Sequence, residues 1–192
     1  MNEKEEKKKI RQNILQIRNA LGREERRKAS LLLTERILGH QWFYLSEYLL
    51  CYAAFGSEID TKDILREALQ AGKKVYLPKV LQAGSSPAMR FYRIETLDEL
   101  AKGYHGIPEP SGISEEYPCS PRIANSTLML MPGVAFDRFR SRLGYGKGFY
   151  DRFLSDKEEL RLRTIGVGYA CQLVETLPAS PTDIKPCQVI CV

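Results

Sequence analysis

The feature that most constrains the fold is a strand–helix–strand pattern in the second quarter of the chain. Residues 48–55 form a short apolar run, YLLCYAAF, with the length and character of a strand. A helix capped by Asp60 or Thr61 follows, and Gly72 closes it. Residues 73–78, KKVYLP, are the next strand, which we expect to stop at its proline. A βαβ unit of this kind builds parallel sheets covered by helices.

Other segments extend the pattern on both sides of this unit. We predict further strands at residues 89–94, 127–132, 162–170 and 187–192, and further helices at 24–38 and 147–160. Residues 103–126 are rich in Gly, Pro and Ser and are predicted to be a long surface loop. With 192 residues, one domain is the first expectation, and two small domains stay open.

Composition excludes several classes of protein. The chain is 43% hydrophobic and 28% charged, as globular proteins are, and no apolar run approaches the roughly 20 residues of a membrane span. The charged N-terminus lacks the apolar centre of a signal peptide. Five cysteines, an odd number, indicate a reducing compartment rather than a disulfide framework. We therefore expect a cytoplasmic protein with no membrane partner.

The positive charge is concentrated rather than spread over the chain. Residues 1–28 contain ten Lys or Arg against five Glu, which accounts for the whole net charge of +5. The N-terminal helix has apolar residues at helical spacing, and beside them a narrow arc of cations: Lys7, Arg11 and Arg18. A solvated face is the simpler interpretation of such cations, but the row could also line a seam. Basic elements that converge on one anion fit better than a nucleic-acid surface.

A second basic cluster surrounds the segment RLGYGKGFYDRF at residues 142–153. Its three glycines, at positions 144, 146 and 148, leave backbone N–H groups bare for phosphate oxygens. Arg142 and Lys147 would add full charges, and Asp151, one helical turn further on, is a candidate for Mg²⁺. The spacing matches neither a Walker loop nor a Rossmann fingerprint, so a tight turn made for packing stays the alternative.

Other chemistries have little support in the sequence. His40 and His105 lack metal-ligand spacing, and we interpret both as structural. The sequence contains no G-x-S-x-G, C-x-x-C or H-E-x-x-H motif. A reaction driven by positioning and charge neutralisation remains.

Four segments in the same order resemble the 5-formyltetrahydrofolate cyclo-ligase family, also called methenyltetrahydrofolate synthetases. The most specific is MPGVAFD…RLGYGKGFYDRFL, at residues 131–137 and 142–154. The others are KKKIR at 7–11, FGSEIDTKDIL at 55–65 and GYHGIPEP at 103–110. The resemblance covers nearly the whole chain and implies one domain over residues 1–192. It also implies a compact three-layer α/β/α sandwich with a mostly parallel sheet, on which the N-terminal helices pack.

The resemblance also implies roles for individual residues. Arg142 and Lys147 would be catalytic, Glu58 and Tyr145 would bind the folate, and Asp151 and, more weakly, Asp183 would bind Mg²⁺. The residues implied to hold ATP are Lys7, Arg11, Arg142, Leu143, Gly144, Tyr145, Gly146, Lys147, Gly148, Phe149 and Tyr150.

The implied activity is an ATP- and Mg²⁺-dependent cyclisation of 5-formyltetrahydrofolate to 5,10-methenyltetrahydrofolate, with release of ADP and phosphate. The expected partners are therefore a reduced folate and ATP, without nucleic acid, and the enzyme is expected to be a monomer. Two alternatives stay open: a divergent paralogue that uses ATP on another substrate, and a non-catalytic nucleotide- or RNA-binding module.

Three positions depart from the family pattern. Arg140 stands where glycine is usual, which predicts a change in the loop before the glycines. Thr182 replaces the usual histidine before Asp183, and Cys187 replaces an acidic residue. The last two departures put Asp183 in doubt as a metal ligand and leave the phosphate loop untouched.

Overall fold

The computed structural model of the chain describes residues 2–82, 87–111 and 114–192. Its helices are α1 (Glu3–Ala20), α2 (Arg23–Leu38), α3 (Gln41–Leu45), α4 (Lys62–Gln70), α5 (Pro121–Asn125), α6 (Phe149–Leu154) and α7 (Glu158–Arg161). Its strands are β1 (Tyr48–Leu50), β2 (Lys74–Leu81), β3 (Ala88–Ile94), β4 (Leu100–Lys102), β5 (Pro108–Pro110), β6 (Thr127–Pro132), β7 (Ala135–Asp137), β8 (Arg142–Leu143), β9 (Thr164–Gly168), β10 (Leu173–Val174) and β11 (Gln188–Cys191).

The central sheet has six strands in the order β11–β9–β6–β1–β2–β3. All neighbouring pairs are parallel except β2 and β3, which are antiparallel. The inner strands are buried on both faces, because successive side chains point to opposite sides of a strand. In β1, for example, Leu49 belongs to the core on one face, and Tyr48 and Leu50 belong to the core on the other.

Helices cover both faces of this sheet. On one face, α2, α3 and α4 supply buried residues such as Leu33, Phe43 and Ile64. On the other face, α6 and α7 supply Leu154 and Leu160, together with residues of α5. The predicted α/β/α sandwich with a mostly parallel sheet is therefore confirmed, and its two cores are separate clusters of buried side chains.

The first helix packs on a small sheet rather than on the large one. Strands β10, β7 and β8 form this three-stranded sheet, in that order. Ile14 of α1 is buried against Val134, Ala135 and Leu143. Because β8 leads into the glycine-rich segment, this packing brings the cationic helix beside it.

Two strand boundaries differ from the sequence prediction. The run at residues 48–55 pairs as a strand only over Tyr48–Leu50, and the rest is irregular although partly buried. The strand that was expected to stop at Pro78 continues to Leu81. The pairing of β2 with β1 ends at Tyr76. Because Pro78 lies beyond that point, its missing N–H removes no hydrogen bond to β1.

The predicted helix at 147–160 is wrong, because two short helices, α6 and α7, stand there. Leu154 and Leu160 are both fully buried. In one continuous helix, side chains that are six residues apart would point to different faces. The break between α6 and α7 lets both side chains reach the same core. The start of α6 at Phe149 also leaves residues 144–148 as an open loop.

The predicted surface loop at 103–126 contains more structure than its composition indicated. It includes β5 and α5, while its residues 112–113 lie outside the described ranges. Strand β5 has three residues, too few to produce a periodic pattern. Helix α5, in contrast, does carry a signal: Ser120 caps it through Ile123 N–H, and Pro121 is its first residue.

Phe136 occupies a space that glycines keep open. Phe136, in β7 of the small sheet, is fully buried, and its ring lies against Gly133 and against Gly166 and Gly168 of β9. A Cβ added at Gly166 would lie 2.5 Å from a Phe136 ring carbon, closer than real contacts allow. The aromatic ring and the bare backbone are thus matched in shape.

We expect Gly166→Ala to lower the free energy of unfolding by about 1–3 kcal/mol, since it overpacks this space. Denaturant unfolding followed by circular dichroism measures the change. Gly22→Ala is the matched control, because a Cβ there meets no atom within 4 Å, and we expect a change within about 1 kcal/mol. An equal loss in both variants would contradict the packing argument.

Candidate active site

A cleft of about 510 Å³ opens at the carboxyl ends of the parallel strands. Tyr52 follows β1, Pro132 ends β6, and both line this cleft. Open α/β sheets bind ligands at this edge, where loops leave the strands. All the residues that the sequence singled out for ATP, folate or metal line it as well: Lys7, Arg11, Glu58, Arg142, Leu143, Gly144, Tyr145, Gly146, Lys147, Gly148, Phe149, Tyr150, Asp151 and Asp183.

The glycine-rich loop connects β8 to α6 along one wall of the cleft. Gly146 and Gly148 have φ angles of 95° and 63°, which side-chain-bearing residues rarely adopt. A Cβ added at Gly146 would approach the guanidinium of Arg11 to 3.5 Å. Because 3.5 Å is an ordinary contact, the positive φ angles rather than the approach of α1 require these glycines, which also leave N–H groups unobstructed.

Helix α1 attaches directly to this loop. The Nε of Arg11 donates to the carbonyl oxygen of Gly144 at 2.8 Å. One turn earlier, the Nζ of Lys7 donates to Asp183 Oδ2 at 2.6 Å and to Ser180 Oγ at 2.9 Å. The cationic helix α1 and the glycine-rich loop therefore lie side by side. Arg11 bonds the loop directly, and Lys7 bonds the C-terminal part of the chain.

Two carboxylates lie beside these cations. Asp151 Oδ1 accepts from the Nη2 of Arg142 at 3.2 Å and from the backbone N–H of Ile184 at 3.1 Å. Because Ile184 follows Asp183 in the chain, both aspartates belong to the same charged part of the cleft. The Arg142 side chain is only 5% exposed, and its Nε has no hydrogen-bond partner among the described residues.

Charge pairing shifts the titration of this cluster. Burial opposes the charge of Lys7, but its bonds to Asp183 and Glu3 outweigh burial and raise the pKa of its ammonium group. For Asp183, burial raises the pKa, while the bonds from Lys7 and the Ser180 N–H outweigh it and lower the pKa overall. Both groups are therefore held in their charged forms, ready for an ionic ligand.

A second part of the cleft is largely apolar and contains Glu58. Its Oε2 accepts the backbone N–H of Phe55 at 3.0 Å, and Tyr145 borders the same carboxyl group. Burial raises the pKa of Glu58, because a desolvated carboxylate is costly. Apolar and aromatic residues complete this part: Phe55, Pro78, Val80, Met89, Tyr104 and Ile107.

Several residues in or behind the cleft are not among those that the sequence indicated for the site. Glu109 lines the cleft, is 5% exposed and accepts the N–H of Val80 at 3.2 Å. His105, interpreted as structural, also lines the cleft. Arg18 had a signal, its place in the cationic arc of α1, and its Nη2 donates to the hydroxyl of Tyr145 at 2.6 Å.

The three departures from the family pattern have structural counterparts. Arg140 has a φ of 63°, the left-handed conformation that glycine adopts at least cost, and its Nη1 donates to the Cys187 carbonyl oxygen at 2.8 Å. The side chain of Cys187 is not needed for that bond. Asp183 lines the cleft although threonine precedes it.

None of the helices in the described ranges has the length and hydrophobicity that a bilayer crossing requires.

The fold and the cleft define a class: α/β proteins with one charged and one apolar part of a ligand site at the carboxyl edge of the sheet. The model of the 5-formyltetrahydrofolate cyclo-ligase family matches residues 3–192. The chain therefore belongs to this family, and the resemblance of its motifs is confirmed.

Individual relatives agree with this assignment. A probable 5-formyltetrahydrofolate cyclo-ligase of Caenorhabditis elegans is 33% identical over 97% of this chain and 93% of its own length. The Escherichia coli 5-formyltetrahydrofolate cyclo-ligase is 31% identical over 89% of this chain and 92% of its own length. The structure of Aquifex aeolicus 5,10-methenyltetrahydrofolate synthetase has a TM-score of 0.77 and 32% identity, covering 94% of this chain and 86% of that chain.

We expect Glu58→Gln to stabilise the protein at neutral pH by about 0.5–2 kcal/mol. The folded-state pKa of Glu58 is raised, so its contribution to stability is complete below the unfolded-state pKa and is lost as pH rises through the folded-state pKa. Glutamine avoids that loss and can still accept the Phe55 N–H. Unfolding free energies at neutral and acid pH measure the effect; an equal difference between variant and wild type at both would contradict it.

Proposed function

We propose that this protein is an ATP-dependent 5-formyltetrahydrofolate cyclo-ligase that forms 5,10-methenyltetrahydrofolate and releases ADP and phosphate. The observation that carries the proposal is the cleft itself, in which a bare glycine loop with four cations adjoins an apolar part with a half-buried carboxyl group. Family membership over residues 3–192 supports the folate chemistry and one domain over the whole chain.

The charged part suits a triphosphate. Lys7, Arg11, Arg142 and Lys147 supply positive charge, and the N–H groups of the loop around Gly146 supply further donors. Arg142 offers a planar fork that can bond two phosphate oxygens at once. These groups would hold the γ-phosphate and stabilise the charge that develops on it during transfer.

The apolar part suits a reduced folate. Ring-shaped ligands bind between aromatic and aliphatic walls, with a few polar groups that fix their orientation. Glu58, with Tyr145 beside it, would accept N–H donors of the pterin ring, and the position of the ring would bring the formyl oxygen toward the phosphate loop. Exclusion of water from this part protects an activated formyl group from hydrolysis.

The reaction then needs positioning and charge neutralisation. The formyl oxygen attacks the γ-phosphorus and ADP leaves, which converts the formyl oxygen into a phosphate ester. N10 of the folate attacks the formyl carbon, the carbon–oxygen bond breaks, phosphate leaves, and N10 loses its proton. Arg142 and Lys147 balance negative charge on the phosphoryl group, and no covalent bond to the protein is required.

The donor set fits Mg²⁺. This ion prefers oxygen ligands and takes one or two protein carboxylates together with phosphate oxygens and waters. Asp151 and Asp183 offer two carboxylates linked through Ile184 N–H, and no group of three or more acidic, His or Cys ligands stands together in the described ranges. These aspartates would hold the ion, which supplies charge neutralisation on the phosphates when bound.

Monomeric state, absence of a nucleic-acid partner and cytoplasmic location stay predictions. A relative from Arabidopsis thaliana, 27% identical, is named as a mitochondrial 5-formyltetrahydrofolate cyclo-ligase. Light scattering and fractionation of cells that express the tagged protein measure state and location directly.

We expect purified protein to convert 5-formyltetrahydrofolate only when ATP and Mg²⁺ are both present. Ultraviolet absorbance follows the methenyl product, and a coupled assay follows ADP in the same sample. The two should appear in equal amounts, because one phosphoryl transfer activates one formyl group. Nucleotide binding without folate turnover would contradict the proposal and favour a paralogue with another substrate.

We expect Arg142→Ala to lower kcat by about 100-fold or more, because it removes a donor aimed at the transferring phosphoryl group. Arg138→Ala is the matched control, since Arg138 is exposed and is not among the residues that line the cleft. Steady-state rates with both variants, after circular dichroism has verified folding, give the comparison. Wild-type kcat/KM in folded Arg142→Ala would exclude this role.

A further inference from the structure

Arg18 is an arginine buried at the junction of α1 and the cleft. Arg18 is only 2% exposed and is not among the residues that line the cleft. Its Nε donates to Ser57 Oγ at 2.9 Å, and its Nη2 donates to the hydroxyl of Tyr145 at 2.6 Å. The guanidinium therefore lies behind Tyr145, which lines the cleft, and is anchored by Ser57, which does not.

One donor of this buried cation has no partner. The Nη1 of Arg18 is buried and makes no hydrogen bond with any described residue. Burying a guanidinium with an unmatched donor is costly, so stability alone does not explain its place. A leucine or methionine would fill the same space at lower cost.

The positive charge of Arg18 also acts on the half-buried carboxyl group of Glu58, which follows Ser57 in the chain. Four further groups surround that carboxyl group: the Phe55 N–H, which donates to it, and the hydroxyls of Tyr52, Tyr145 and Tyr150. Burial raises the pKa of Glu58; the Phe55 N–H, then the charge of Arg18, then the Tyr145 hydroxyl lower it. Arg18 is therefore the neighbour whose positive charge favours the ionised form of Glu58.

Arg18 also holds Tyr145. Tyr145 is 51% exposed and lines the cleft, and glycines stand on both sides of it in the chain. Glycine neighbours leave the backbone conformationally free, so the ring needs a tertiary contact to keep one position. The bond from Arg18 provides it, with the guanidinium carbon 5.8 Å from the ring centre.

We propose that Arg18 is a positioning residue for folate binding, which fixes the Tyr145 side chain at the cleft and provides the positive charge that acts on Glu58. This role rests on the proposed function, because Tyr145 and Glu58 are there the folate-binding groups. Arg18 itself contacts neither substrate. It acts through these two residues, and its side-chain hydrogen bonds go to Ser57 and the Tyr145 hydroxyl rather than to the phosphate-binding cations, so we expect ATP binding to change little.

The test uses Arg18→Met, which keeps most of the volume and loses the charge, and Arg18→Lys, which keeps the charge and loses the fork. In Arg18→Met we expect KM for 5-formyltetrahydrofolate to rise about tenfold or more, with KM for ATP within about twofold of wild type. The acid limb of the kcat/KM profile for folate should move to higher pH. In Arg18→Lys the acid limb should stay near that of wild type, while KM for folate still rises.

The matched control is Arg26→Met. Arg26 is a neighbouring arginine that donates to the backbone carbonyl oxygens of Arg18, Asn19 and Leu21 where α1 meets α2, without contacting the Arg18 guanidinium. A loss caused by disturbing this junction would appear in both methionine variants. Only Arg18→Met should move the acid limb.

A measurement without turnover separates this proposal from the proposed function. The Glu58 carboxyl carbon, assigned by its loss in Glu58→Gln, is titrated by NMR in wild type and in each Arg18 variant. We expect a higher pKa in Arg18→Met and a nearly unchanged one in Arg18→Lys. If wild type shows no folate turnover but these shifts appear, the proposed function fails and the charge relation stands.

Two results would overturn the proposal. One is a folded Arg18→Met with wild-type KM for folate and an unmoved acid limb. The other applies if Arg18→Met does not fold: an Arg18→Lys variant with wild-type KM for folate would show that the bond to Tyr145 has no role in binding.

Discussion

The site depends on the attachment of α1 to the glycine-rich loop. Arg11 and Gly144 are separated by 133 positions in the chain, yet the guanidinium of one donates to the carbonyl oxygen of the other at 2.8 Å. Two glycines of this loop have positive φ angles, and such a segment loses much conformational entropy when it is fixed. The loop holds its shape because Ile14 packs the helix on the small sheet beside it. Anchoring and charge supply are thus functions of one helix.

Pairing of charges explains how the cleft can accept so many ionic groups. Lys7 pairs with Asp183 and Arg142 pairs with Asp151, so the cleft presents cations and carboxylates together. A bare anion would meet these carboxylates as well as the cations and would gain less. A phosphate that carries a divalent cation matches both signs, since the carboxylates then bind the metal and the cations bind the oxygens. This balance supports metal-bound ATP rather than a simple anion as the ligand.

Short elements and long-range packing set the limits of prediction here. The short apolar run around Leu49 identified a buried strand, because the length and composition of such a run are local properties of the sequence. Pro78 misled the prediction, since a proline is harmful only where its missing N–H would have joined a neighbouring strand. The break after Leu154 has no glycine or proline to mark it; it exists because Leu160 must reach the same core. Arg18 appeared in the cationic arc, but its partner Tyr145 lies 127 positions away.

The sequence by itself determined the α/β class and the glycine-rich motif, because both follow from residue type and local spacing, and its resemblance to the family indicated most of the charged residues that line the cleft. It also indicated that the positive charge is concentrated on one helix. Only the tertiary structure decided which cation meets which partner: Lys7 with Asp183, Arg11 with Gly144 and Arg18 with Tyr145. Local periodicity places a side chain on a face of its own helix, whereas its partner depends on how distant segments pack, and that packing is a property of the whole chain.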